Sequence, residues 1–150
     1  EAGSMGNRGN SLVEVLVATT VGVLVVTALT YATIFSLRNA GFARNSVQAT
    51  KLAQEGLEKV RTLRDRDEAG FSELLLTEFS CPAKCYFYFN LSGVFFSGSN
   101  ADFETIPPNF KRQFWVEDTG LEQKKVTAIV QWSDFAGTHE SKLSTILGKL

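Results

Sequence analysis

The chain has 150 residues, 44% hydrophobic and 21% charged, and its 15 basic and 16 acidic side chains give a formal net charge of −1. That balance leaves no electrostatic footprint for nucleic acid or for an anionic surface. The charges are also unevenly placed: apart from Glu1, Arg8 and Glu14, all of them lie at or beyond Arg38, which sets aside a soluble enzyme built on one core of the whole length.

Residues 1–9 show no hydrophobic periodicity and read as leader material, with Gly3, Ser4 and Met5 resembling residues left by expression cloning before a native start at Met5. From Val15 to Leu37 there are 23 residues without a charge. As a helix they would extend about 35 Å, enough to cross a hydrocarbon layer of about 30 Å. A secretory signal places its small-residue cleavage site after the apolar run. Here Gly9 precedes it, so a cut there leaves the whole run on the mature protein. One acid, Glu14, lies just inside the N-terminal edge. At a membrane helix centre an acid costs about 2.5–3.5 kcal/mol, less near the interface. Two readings account for it: a carboxylate favouring the positive end of the helix dipole, or an ion pair with a cation in the membrane plane, for which a new amino terminus at Asn10 is the nearby candidate.

No proline occurs before Pro82, and only Gly22, Gly41 and Gly56 interrupt the stretch from Ser11 to about Arg66, so one helix of about 84 Å is expected over 11–66. Beyond the span it becomes amphipathic. Ala49, Leu52, Ala53, Gly56, Leu57, Val60 and Leu63 form one stripe, opposite Lys51, Gln54, Glu55, Glu58, Lys59 and Arg61. Small residues at Ala18, Gly22, Ala28, Ala32, Ser36 and Ala40 would let another helix approach closely.

After Asp67 the period changes to two. Strands are expected over 84–90, 93–97, 110–117, 125–132 and 141–147, the first two joined as a hairpin at Asn90, Leu91, Ser92 and Gly93. Phe110, Arg112, Phe114 and Val116 share one face of their strand, and Val126, Ala128, Val130 and Trp132 one face of the next. A long helix followed by antiparallel strands gives an α+β fold, with the sheet wrapped on the amphipathic half of the helix. The expected divisions are 1–9 leader, 10–37 membrane helix, 38–66 amphipathic helix and 67–150 β-rich head.

Candidate chemistry is sparse. Cys81 and Cys85 frame a short loop and, with His139 the single histidine, cannot close a tetrahedral zinc site. A disulfide across the loop is expected, in an oxidising compartment; two buried thiols are the alternative. Asn90 to Ser92 fits a glycosylation acceptor but also a turn. Asp102 and Glu104 could offer oxygens to calcium, and solvated carboxylates are the simpler expectation. His139 is expected exposed in a turn. Phe95 and Phe96 must point to opposite faces of a strand. No nucleophile, phosphate loop or paired acid supports an enzyme, and no cofactor or metal is implied.

Gly9, followed by Asn10, Ser11, Leu12, Val13 and Glu14 and then an unbroken apolar helix, resembles the type III signal of the type IV pilin superfamily. Leu52 to Arg61, and the run from Phe110 through Trp132 to Thr145, resemble the minor pilins and pseudopilins of the pilus-modification group. The resemblance implies cleavage after Gly9 by a membrane aspartic peptidase (the prepilin peptidase) and methylation of Asn10. It also implies pairing of Glu14 with a neighbouring subunit's amino group, and assembly with other pilin subunits by inner-membrane machinery. Asn10 departs from the usual apolar residue at its position, which a minor subunit tolerates better than a major one. The flanking basic residues, Arg8 against Arg38, Arg44 and Lys51, would place the head in the cytoplasm. The resemblance implies an extracytoplasmic head, and the cysteine pair and the added positive amino terminus agree with it. A different class of function, a membrane-anchored extracytoplasmic binding module whose helix is only an anchor, is separated from a filament subunit by whether Glu14 is needed after insertion. Within the filament class, a pilus subunit and a type II secretion pseudopilin share these residues.

Overall fold

The computed structural model describes residues 7–66, 84–90, 95–119 and 123–148. One helix, α1 (Asn7–Arg66), is followed by strands β1 (Cys85–Phe89), β2 (Phe95–Gly98), β3 (Glu104–Ile106), β4 (Phe110–Asp118), β5 (Gln123–Asp134) and β6 (Gly137–Gly148). The fold is α+β. The chain divides into two compact units, Glu1–Phe42 and Ala43–Leu150, so the division falls inside the helix.

In the first unit the described side chains from Ser11 to Phe42 are all exposed, including Leu16, Leu24, Leu29 and Phe35. Threonine hydroxyls within this apolar surface are satisfied locally. Thr20, Thr27, Thr30 and Thr33 each donate to the carbonyl four residues earlier, at 2.7–2.9 Å, and Thr19 donates to the Leu16 carbonyl. Such back-bonding lets a threonine lie in an apolar medium without an orphaned donor. The helix is long and apolar enough to cross a membrane.

In the second unit the sheet order is β2-β1-β4-β5-β6, with β3 beside β4, and every pairing is antiparallel. β1 and β3 share one edge of β4: Cys85 to Phe87 lie opposite Val116 to Phe114, and Glu104 to Ile106 opposite Arg112 to Phe110. β4 and β5 pair from Phe110↔Trp132 to Asp118↔Lys124. Strand alternation then sends Phe110, Arg112, Phe114, Val116, Val126, Ala128, Val130 and Trp132 to one face, where all are buried. The helical stripe Ala49, Ala53, Gly56, Leu57 and Val60 closes over that face, with Leu52 packed at its margin.

Strand boundaries moved by at most a few residues from those expected at β1, β2, β4 and β5, whereas β6 begins at Gly137 instead of residue 141 and β3 was not foreseen. Gly137 has φ +130°, a conformation L side chains rarely adopt, and this lets β5 turn directly into β6. β3 is three residues long and ends at a cis Pro107–Pro108 bond, too short to carry a period-two signal.

Closest approach of helix and sheet occurs at Gly56. A Cβ there would lie 2.6 Å from Phe114 Cζ and 3.1 Å from Arg112 Cδ. The Phe114 ring cannot yield, because Phe87 stacks on it at 5.1 Å and Phe89 meets it edge-on at 5.4 Å. Gly41 has open space around its position. Gly56→Ala is therefore expected to lower stability by about 1–3 kcal/mol through overpacking, whereas Gly41→Ala should be neutral or stabilising by up to about 1 kcal/mol. Denaturation of the full chain in detergent, followed by circular dichroism, distinguishes the two; equal effects would contradict the close approach.

Candidate functional site

The expected processing and assembly residues lie at the start of α1. The helix begins at Asn7, so Gly9 and Asn10 fall in its first turns, four residues before the expected start. Glu14 is exposed among Leu12, Val13, Val15 and Leu16, and meets no cation of its own chain among the described residues. It is the one acidic or basic side chain from Ser11 through Leu37. The small residues Ala18, Gly22, Ala28, Ala32, Ser36 and Ala40 are exposed as well, and nothing lies within 4 Å of the position a Gly22 side chain would take.

Chemistry in the second unit is structural. Arg112, 1% exposed on the core face of β4, donates from Nε to Glu104 Oε2 at 2.9 Å, and its Nη2 lies 2.8 Å from the same oxygen as an ion pair. Its Nη1 donates to the Leu52 carbonyl at 2.9 Å. That carbonyl also faces the N–H of Gly56 in the α-helical pattern, so its second lone pair is used by the guanidinium. The charge is thus both neutralised and hydrogen-bonded, the condition under which a buried cation is tolerated. Glu104 is therefore held against Arg112 and largely buried, not the solvated loop acid expected. Asp102 is likewise committed: its Oδ2 accepts from the Ser99 N–H at 2.7 Å and the Ser99 hydroxyl at 2.8 Å. The backbone bond from Ser99, and then its hydroxyl, hold the Asp102 carboxyl below its ordinary pKa. Gln113, buried on the outer face of β4, donates to the Ser99 and Asp102 carbonyls at 2.7 and 2.6 Å and fastens this turn to the sheet.

His139 lies in β6, half-buried, and its Nε2 is 2.9 Å from Asp134 Oδ1 across the β5–β6 turn. It was expected in a turn and exposed; the earlier start of β6 brings it into the sheet. The same Asp134 oxygen accepts from the Ala136 N–H at 2.8 Å. The His139 contact is the main cause that lowers the Asp134 pKa from 3.8.

Cys85 opens β1 and is disulfide-bonded. Cys81 lies outside the described residues, as do Leu91 and Ser92 of the glycosylation pattern and residues 1–6 of the expected leader. Phe95 and Phe96 are in β2, and their side chains also lie outside the description. Among the described residues no group of three or more His, Cys, Asp or Glu could hold a metal ion.

Arg61, expected on the solvent face, is half-buried and donates from Nη2 to Thr145 Oγ1 at 2.9 Å, fastening the helix to β6. Glu55 and Lys59, one helical turn apart on the polar face, pair at 3.3 Å, but at this exposure the pair contributes well under about 1 kcal/mol. Compared with family models, with curated proteins and with solved structures, the chain matches none.

Two outcomes follow. Glu104→Ala leaves Arg112 buried without its counter-ion and should cost roughly 3–5 kcal/mol, much of it recovered when Arg112→Met is added. Chemical denaturation of the single and double variants checks this, and a double variant as unstable as the single one would contradict it. A lowered folded-state pKa makes the Asp134 contribution complete above 3.8 and lost as pH falls through the lowered value. Between about pH 5 and about pH 2, Asp134→Asn should therefore lose less thermal stability than the parent chain; parallel curves would contradict it.

Proposed function

We propose that this chain is a structural minor pilin or pseudopilin subunit, cleaved after Gly9 by a prepilin peptidase and assembled into a type IV pilus or a related filament, at low copy or near the tip. Residues 10–37 hold it in the bilayer before assembly, with the head on the extracytoplasmic side and later in an extracellular or periplasmic filament.

The observation that carries this reading is Glu14, an uncompensated carboxylate on an otherwise apolar and uncovered helical surface. Such a group is costly in hydrocarbon, and a cation beside it removes much of that cost. Its own chain supplies none among the described residues. Cleavage after Gly9 makes an ammonium group at Asn10, and a neighbouring subunit can present that group to Glu14 within the same apolar layer. In a medium of low dielectric the attraction is far stronger than in water. Neutralising Glu14 thus favours transfer of the helix from lipid to a bundle of like helices. The small residues at Ala18, Gly22, Ala28, Ala32, Ser36 and Ala40 permit close backbone approach in such a bundle. The amphipathic half is already occupied by its own sheet, which leaves the apolar half for other subunits. The partners are other pilin subunits, the prepilin peptidase, the inner-membrane assembly machinery and, before assembly, membrane lipid.

Co-expression with a competent prepilin peptidase should convert the chain to a form whose intact mass begins at Asn10. A chain of unchanged mass, in cells that process a control prepilin, would overturn the proposal.

A further inference from the structure

Two turns at one end of the second unit carry exposed apolar side chains that the core does not use. The β5–β6 turn presents Phe135, 69% exposed, and Ala136. The β3–β4 turn presents Pro107 and Pro108, also exposed. A hydrogen bond from Asn109 Nδ2 to the Ser133 carbonyl, 3.2 Å, ties the turns together. Scattered apolar residues on a surface are ordinary. Here four of them share one end, and which end it is can be read from the contacts between helix and sheet.

Thr50 meets Ser141 at 3.1 Å, the Leu52 carbonyl meets Arg112, Gly56 faces Phe114, and Arg61 meets Thr145. Residue number along the helix therefore rises in the same direction as along β4 and β6. Going back from Thr50 to Ala43 covers about 10 Å of helix, and going back from Ser141 to Gly137 covers about 14 Å of strand. Both paths finish at the same end of the unit. The two apolar turns thus lie where the chain enters this unit at Ala43. Only residues 38–42 separate that point from the charge-free stretch, a reach of at most about 18 Å.

We propose that, in the membrane-inserted subunit, this pair of turns rests in the lipid headgroup layer, with Phe135 as its anchor. The inference depends on the reading that residues 15–37 cross the bilayer. Phenylalanine, like tryptophan and leucine, is used by interfacial segments at the boundary of headgroups and acyl chains, where an apolar ring leaves water without entering the hydrocarbon centre. The turn's acid, Asp134, is half-buried and engaged with His139 and the Ala136 N–H, so it does not present an open carboxylate to lipid phosphate. Exposed Arg44, near the entry point, offers phosphate a cation. Docked this way, the head has a second point of contact besides the helix, which restricts its tilt before assembly.

The test uses the full chain in vesicles of phosphatidylcholine and phosphatidylglycerol, with single added cysteines at Ala136, at Gln123 on the opposite end of β5, and at Leu24 in the span. Each is labelled, without reduction, with a thiol-reactive fluorophore, and the unsubstituted chain controls for labelling of Cys81 or Cys85. Headgroup-attached spin label should quench the Ala136→Cys probe roughly twofold or more relative to the Gln123→Cys probe, and adding Phe135→Asp should abolish the difference. Mid-chain spin label should quench the Leu24→Cys probe. A quenched Leu24 probe, with Ala136 and Gln123 probes equally open to a water-soluble quencher, would overturn the headgroup contact and leave the spanning reading intact. An unquenched Leu24 probe would overturn both.

Discussion

A helix can lie close against a sheet only where its side chains leave room, and Gly56 is where α1 does so. With no Cβ in the way, the Phe114 ring sits against the helix backbone and the Arg112 stem passes beside it. The guanidinium then reaches the Leu52 carbonyl, one helical turn earlier. The rest of the second unit is arranged around that contact. Phe87 and Phe89 hold the Phe114 ring, Glu104 neutralises the buried cation, and β3 exists as three residues beside β4 that place Glu104 opposite Arg112. Buried ion pairs contribute little net stability on average. Their effect here is on register, because the guanidinium bonds both to the helix backbone and to a particular residue of a neighbouring strand.

The same helix carries two surfaces that suit different surroundings. Its amphipathic part buries a stripe of small and medium side chains against the sheet and leaves lysine and glutamate to water. Its apolar part leaves leucine, valine and phenylalanine uncovered and keeps its threonine hydroxyls bonded to its own backbone. No part of the chain's described structure covers that surface, so lipid or other helices must do so in solution conditions that keep the chain dispersed. On the function proposed above, Glu14 discriminates between those two coverings: lipid offers it no fixed cation, whereas a neighbouring processed subunit would.

Much of this was legible from residue order. The helix with its buried stripe, the change of period after Asp67, and the inward faces of β4 and β5 follow from periods of 3.6 and two, which depend only on which residues must leave water. The parts that escaped are those decided by pairing in three dimensions. Arg112 stands in line with Phe110, Phe114 and Val116, and a charge on an inward face demands a buried acid; Glu104, just across the Pro107–Pro108 turn, was the available signal. Gly56 was counted as a weak point of the helix, although its position within the apolar stripe was a sign of close packing. β3 was too short to show alternation, and the extent of β6 depended on Gly137, whose positive φ no hydrophobic pattern reveals. Cys81, with the segment around it, lies outside the described residues, and Glu14 meets no cation among the described residues, so its role is argued from its chemistry.

The claim on which the account rests is that Glu14 serves assembly and not insertion. Cells carrying either the parent chain or Glu14→Ala, in a strain that makes the filament, can be separated into membrane and sheared-filament fractions and the subunit quantified in each. The account predicts equal amounts of both proteins in the membrane and loss of Glu14→Ala from the filaments. Glu14→Ala present in filaments at the parent level, or a parent chain confined to the membrane, would contradict it.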